Sequence, residues 1–178
     1  MRCKYLTPIL ALFLFTPLFA QKVEPTYKHV SYGSHKDMKL NFWKIDSKKP
    51  TPLLVHIHGG GWLGGKKNET TSPSQLNQGY SYASIDYRLA GVELLPAAVH
   101  DAARAIQFLR TKAKEWNFDP KRIAVTGGSA GAASSMWLAY HDDMADPKSK
   151  DPILRQSSRV CGAVAMGGQT TLDPYLLE

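Results

Sequence analysis

The stretch Ile123-Ala124-Val125-Thr126-Gly127-Gly128-Ser129-Ala130-Gly131 decides how this chain is read. Its first four residues form a short apolar run of the kind that makes a strand, and the residues from Ala130 onward read as a helix. Between them lies G-x-S-x-G. A serine on a sharp strand-to-helix turn adopts a strained backbone, so its neighbours two positions away must be tiny, and the turn lifts Oγ clear of the sheet. The helix beginning there aims free N–H groups at the same place and favours negative charge. A plain glycine-rich turn with a helix-capping serine fits the same letters, so the reading needs a second feature.

That feature is HIHGGGWLGGKK, His56 to Lys67. A serine attacking a carbonyl creates an oxyanion, which needs preorganised donors, and one such donor contributes roughly 3 kcal/mol. Glycines after a central strand let the chain turn its N–H groups inward without side-chain obstruction. His58-Gly59-Gly60-Gly61-Trp62 is therefore the expected second half of the site, with the N–H of Ala130 as the remaining donor. A phosphate loop is the competing reading, since Gly60 to Lys67 nearly spells G-x-x-x-x-G-K-[ST]. It fails at Lys67, where a hydroxyl must meet Mg²⁺, and Asn68 to Pro73 postpones the helix that should start at the loop.

Working outward, Tyr27 to Tyr32 and Met38 to Trp43 alternate as the strands of a hairpin. Leu53 to Ile57, Tyr82 to Ile85, Ile123 to Thr126 and Val160 to Ala165 are short apolar runs, as expected of parallel strands buried on both faces. Helices intervene. Ser72 can cap the first, with Pro73 in its first turn and Gly79 closing it. The second runs from Pro96 to Trp116 with Val99, Ala103, Ile106, Leu109, Ala113 and Trp116 on one stripe, stopped by Asn117-Phe118-Asp119-Pro120. The third is expected from Ala130 to Met144, followed by a polar excursion from Asp146 to Ser158. The fold class is α/β: a mostly parallel sheet flanked by helices, with an N-terminal antiparallel hairpin.

Composition narrows the setting. Arg2 and Lys4 precede the apolar run Leu6 to Phe19, and no acidic residue occurs among the first twenty. This is the pattern of a secretory signal peptide ending at Ala20, which predicts a secreted or periplasmic protein with residues 21–178 as its domain. The run is shorter than the ~20 residues of a comfortable membrane span, so the mature chain is expected to have none. The net charge of +7 includes the two signal cations, and the remaining basic pairs Lys48-Lys49, Lys66-Lys67 and Lys121-Arg122 read as solvated faces. No basic stripe is interleaved with aromatics, which argues against nucleic acid. Cys161 stands alone after the signal and is expected to fill a strand core. Asn68-Glu69-Thr70 matches a glycosylation acceptor, a common pattern that decides nothing.

HGGGW at His58 to Trp62, Asp86-Tyr87-Arg88-Leu89, Pro96-Ala97-Ala98-Val99-His100-Asp101 and GGSAG together resemble the α/β-hydrolase fold. The resemblance is strongest to its esterase and lipase branch related to hormone-sensitive lipase, including secreted bacterial carbohydrate-ester esterases, and covers about Tyr27 to Gly168. It implies that Ser129 is the nucleophile and that Gly60, Gly61 and Ala130 donate the oxyanion-hole N–H groups. It also implies that His58 braces the glycine loop, that Asp86 and Arg88 are scaffold residues, and that small-molecule or carbohydrate esters are cleaved through an acyl-serine without metal or cofactor. Asp101 is expected to cap or pair at its helix. Trp62 and Trp137 are candidate pocket residues, with core packing the stronger reading of Trp137.

In the resembled fold an acid and a histidine follow the serine along the chain. His141 follows it, but twelve residues of helix put it ~18 Å away. His29, His35, His56, His58 and His100 lie on strands, in the hairpin or on a helix face, and Asp142, Asp143, Asp146, Asp151 and Asp173 read as solvated loop residues. The expectation is an N-terminal portion of a hydrolase, stopping after about the sixth strand, with Val160, Cys161, Val164 and Met166 exposed at a sheet edge. An inert binding module that keeps the fold and a prolyl-peptidase-like hydrolase are the alternatives.

Overall fold

The computed structural model describes residues 21–169; the signal-peptide reading and Asp173 lie outside them. In chain order the elements are β1 (Tyr27–Ser31), β2 (Lys39–Trp43), β3 (Thr51–Ile57), α1 (Pro73–Leu76), β4 (Ser81–Ile85), α2 (Ala97–Trp116), β5 (Phe118–Gly128), α3 (Ala130–Tyr140) and β6 (Gly162–Met166). The strands form one sheet in the order β1-β2-β4-β3-β5-β6. β1, β2 and β4 pair antiparallel, whereas β4, β3, β5 and β6 run parallel. Parallel strands point their C-terminal ends the same way. The ends of β3 and β5, from which both glycine motifs emerge, therefore lie side by side, with Ile57 opposite Gly127.

The α2 stripe is buried as expected, from Val99 to Trp116, and the helix packs on β5 and α3. Trp116 meets Tyr27 and Phe42 at ring centroid distances of 4.6 Å each, which ties the hairpin to the main core. Asn117 in the left-handed conformation (φ 59°) ends α2, its N–H bonding to Ala113 O. This lets Phe118 begin β5 at once, five positions before the expected Ile123. Pro120 then falls in the register irregularity between the pairs Thr51–Phe118 and Leu53–Ile123, where its missing N–H costs no ladder bond.

Helix α3 ends at Tyr140 rather than Met144. The Asp143 carboxylate accepts the N–H groups of Ala145 and Ser158 at 3.1 and 2.8 Å, an alternative to helical pairing that starts the polar excursion early. Gln107 holds that excursion from below, donating to Met144 O at 3.2 Å and Gln156 O at 2.8 Å. Asp143 and Asp151 are therefore structural partners rather than merely solvated, Asp151 pairing with Arg104 at 2.7 Å.

β6 departs further from the expected buried strand. Val164 and Met166 are 58% and 61% exposed, as expected for an edge, and Cys161 is exposed at that edge rather than filling a core, whereas Val160 is half-buried against the core instead of exposed. The reason is positional: β6 pairs with β5 alone among the described residues. No helix among these residues is long and apolar enough to cross a membrane.

Candidate active site

The serine turn has the predicted geometry. Ser129 sits between β5 and α3 with φ 52° and ψ −123°, a strained conformation for a residue with a side chain. It is exposed while Ala130 beside it is buried, so the hydroxyl stands clear of the packed turn. Its N–H bonds to Met166 O at 3.0 Å and its carbonyl accepts from Ala133 N. The hydroxyl makes no cap bond to the helix, which removes the capping explanation of this serine. The reason for small neighbours is visible at Gly131, where an added Cβ would lie 2.0 Å from Ile57 O and 2.8 Å from His58 O.

Those contacts also show that the two motifs meet. An added Cβ on Gly59 would lie 3.5 Å from the Ser129 Cβ and 2.7 Å from Gly128 O. Beyond it, Gly60 adopts φ 111° and Gly61 φ 62°; a Cβ on Gly61 would meet nothing within 4 Å, so the space beside it is open. The Gly60 and Gly61 N–H groups make no backbone hydrogen bond among the described residues. A helix N-terminus likewise leaves the Ala130 N–H without an intrahelical acceptor. Gly60, Gly61 and Ala130 thus carry N–H groups without backbone acceptors on the two segments that meet at Gly59 and Ser129.

Side chains from the segment after β4 clamp the glycine loop. His58 is buried and stacks on Tyr87 with centroids 4.2 Å apart. A carbonyl can only accept, so the His58 Nδ1 at 2.8 Å from Gly59 O carries the proton. Burial holds the His58 pKa below the usual histidine value, with the Gly59 bond and Asp86 acting in the opposite direction. Tyr87 donates its hydroxyl to His58 O at 2.9 Å. Asp86 accepts the Lys67 N–H at 2.6 Å and lies 3.1 Å from its Nζ.

Lys67 overturns the expectation of a solvated basic pair. Its side chain is only 5% exposed, between Asp86 and Glu69. Burial disfavours its charge, yet the bonds to Glu69 and Asp86 outweigh that and raise its pKa. The near-match to a phosphate loop therefore ends in an internal ion pair. Arg88 makes two side-chain bonds to the buried Asp101, at 2.9 and 2.7 Å, as expected of a pairing residue. Asn68 of the glycosylation pattern donates to Tyr82 OH at 2.7 Å.

The histidines fall elsewhere. His141 ends α3, exposed and stacked on Trp137 at 4.1 Å. His56 contacts Ser84, His29 faces Glu69, His35 faces Asp37, and His100 neighbours Trp137. Trp137 is half-buried, while Trp62 is buried at 7% exposure with its indole N–H on Ser134 Oγ at 3.1 Å. Sequence reasoning missed Ser134 and the buried role of Lys67. The available signal was Trp62 itself, because a buried indole N–H needs an acceptor.

Sheet order, the strand–turn–helix serine and the adjoining glycine loop define an α/β-hydrolase fold of esterase type. The chain belongs to the BD-FAE family, whose model matches residues 42–172. It is 30% identical to the probable carboxylic ester hydrolase LipM of Mycobacterium tuberculosis over 90% of this chain and 41% of that protein. It is 33% identical to carboxylesterase NlhH of the same organism over 62% of this chain and 36% of NlhH. Among solved structures, an acetyl ester-xyloside bifunctional hydrolase from Caldicellulosiruptor lactoaceticus superposes with TM-score 0.69 and 30% identity. That match covers 80% of this chain and 57% of the other. A truncated carbohydrate esterase from gut microbiota shares the fold, with TM-score 0.66 and 22% identity over 77% of this chain and 54% of that one. The chain spans less than half the length of these curated relatives.

Proposed function

We propose that this chain carries the nucleophile and oxyanion hole of a serine hydrolase that cleaves carboxylic esters, of small molecules or of carbohydrates. The observation that carries the reading is the exposed Ser129 on its strained turn, packed against a glycine loop with unengaged N–H groups. Ser129 Oγ attacks the ester carbonyl as a base removes its proton. The N–H groups of Gly60, Gly61 and Ala130 stabilise the resulting oxyanion, and its collapse expels the alcohol and leaves an acyl-serine that water hydrolyses. The names of the relatives support ester cleavage. We assign the acid and the base to the remainder of a longer hydrolase, and we read residues 1–20 as a signal peptide that directs residues 21–178 to the periplasm or the exterior.

A fluorophosphonate, which phosphonylates activated serines, tests this. The longer hydrolase, which supplies the base, is expected to be labelled and its Ser129→Ala variant to be unlabelled, since removing a nucleophile costs several orders of magnitude. Equal labelling of both proteins would end the proposal. N-terminal sequencing of exported protein tests the signal, with Gln21 expected first.

A further inference from the structure

Trp62 occupies a backbone conformation that its own side chain disfavours. Gly61 and Trp62, with φ 62° and 57°, are the central residues of a turn closed by Leu63 N–H on Gly60 O at 3.0 Å. Positive φ at both central positions belongs to the primed type I turn, which favours glycine and asparagine. For a bulky residue such a conformation costs about 1–3 kcal/mol and persists only where the surroundings fix it. Two bonds fix it here. Ala90 N–H donates to Trp62 O at 2.7 Å, and the Trp62 indole N–H donates to Ser134 Oγ at 3.1 Å.

Ser134 is 1% exposed and passes the connection on, its hydroxyl donating to Ala130 O at 2.9 Å. One bond received and one given settles the orientation of a hydroxyl that has a single proton. The chain of bonds therefore runs from the glycine loop to the residue that follows the serine. The neighbouring Ser135 provides an internal comparison. It makes the same backward bond, to Gly131 O at 2.8 Å, but receives no side-chain donor among the described residues. Helical back-bonding alone thus accounts for Ser135, whereas Ser134 also carries the loop.

We infer that Ser134 is a positioning residue, and that the Trp62 indole, the Ser134 hydroxyl and the Ala130 carbonyl hold the two sides of the oxyanion hole at a fixed separation. The inference rests on Ser129 being the nucleophile. Small misplacements of such donors are costly in rate while leaving ground-state binding almost unchanged.

Saturation kinetics of fluorophosphonate labelling, measured on the longer hydrolase that supplies the base, separate these effects, because kinact reads the reacting geometry and KI the prior binding. Ser134→Ala and Trp62→Phe are each expected to lower kinact about tenfold with KI changed less than about twofold. The double variant should lose no more than either single one, since both cut the same link. Ser134→Thr, which keeps the hydroxyl, restores the rate, and Ser135→Ala leaves kinact at the parent value.

Parent kinact in a folded Ser134→Ala protein, independent losses that multiply in the double variant, or an equal loss in Ser135→Ala would each overturn the inference. If Ser134→Ala fails to fold, Trp62→Phe decides, because it keeps an aromatic side chain in place while removing the donor. An unlabelled parent, or labelling that survives Ser129→Ala, overturns the nucleophile reading together with this one. Labelling that depends on Ser129 but ignores Trp62 and Ser134 removes this one alone.

Discussion

The serine turn and the glycine loop sit against each other, yet they are held by different forces. On the serine side the restraint is backbone against backbone: Gly131 lies so close to Ile57 O and His58 O that no side chain fits. On the loop side the restraint comes from side chains. Asp86 and Lys67 grip its far end, Tyr87 and His58 its start, and Ser134 its middle. Sterics tolerate almost no variation, whereas a set of polar clamps can lose one member and keep the rest. The two sides should therefore fail in different ways.

Gly131→Ala is expected to have the largest effect. A methyl group 2.0 Å from a carbonyl oxygen must displace β3 or α3, which should cost at least about 3 kcal/mol, read as a lowered midpoint in urea unfolding. Parent-like stability in that variant would show the turn to be as adaptable as the loop.

Lys67→Met should come next. It leaves the Asp86 carboxylate, 20% exposed at its side chain, without its cation, for a loss of about 2 kcal/mol. The measurement is again urea unfolding. A loss below about 0.5 kcal/mol would rank the pair with ordinary surface ion pairs.

A smaller effect is expected from pH. The folded-state pKa of His58 lies below its unfolded value because of burial, so the unfolded chain binds the proton more readily. The stability contributed by neutral His58 is thus full above the unfolded value of about 6.5 and declines as the pH falls through the folded one. His56 shifts the same way through burial. Thermal midpoints should fall between pH 7.5 and 5.5, and His58→Asn should flatten that slope; an unchanged slope would assign the effect to other groups.

The smallest change is expected outside both regions. Ser72 caps α1 by accepting Gln75 N–H at 3.3 Å, and Ser72→Ala should cost about 0.5–1 kcal/mol without altering Ser129 labelling. A slower label would connect α1 to the site.

What the sequence discloses follows the same division. G-x-S-x-G and the triple glycine are legible because each position answers a local demand for sharp turning or close approach. The parallel strands were legible too, since apolar runs separated by helices imply them, but their order in the sheet and the β2–β4 pairing were not. Nor were side-chain pairings across the fold. Lys67 next to Lys66 looks solvated until Asp86 arrives from the segment after β4, and Ser134 looks like any small helical residue until the Trp62 indole reaches it. The runs Ser81–Ile85 and Gly162–Met166 are similarly apolar, but the first lies inside the sheet and the second at its edge. Neither run states its own place in the sheet, which is what leaves Val164 and Met166 exposed.

The bond from Ser129 N–H to Met166 O joins the reactive turn to the least enclosed strand. Sparsely packed segments open most readily when a domain breathes, and opening here would unfasten the amide of Ser129 itself. An element laid over that border would act as a brace, its grip registered at a hydroxyl it need never touch.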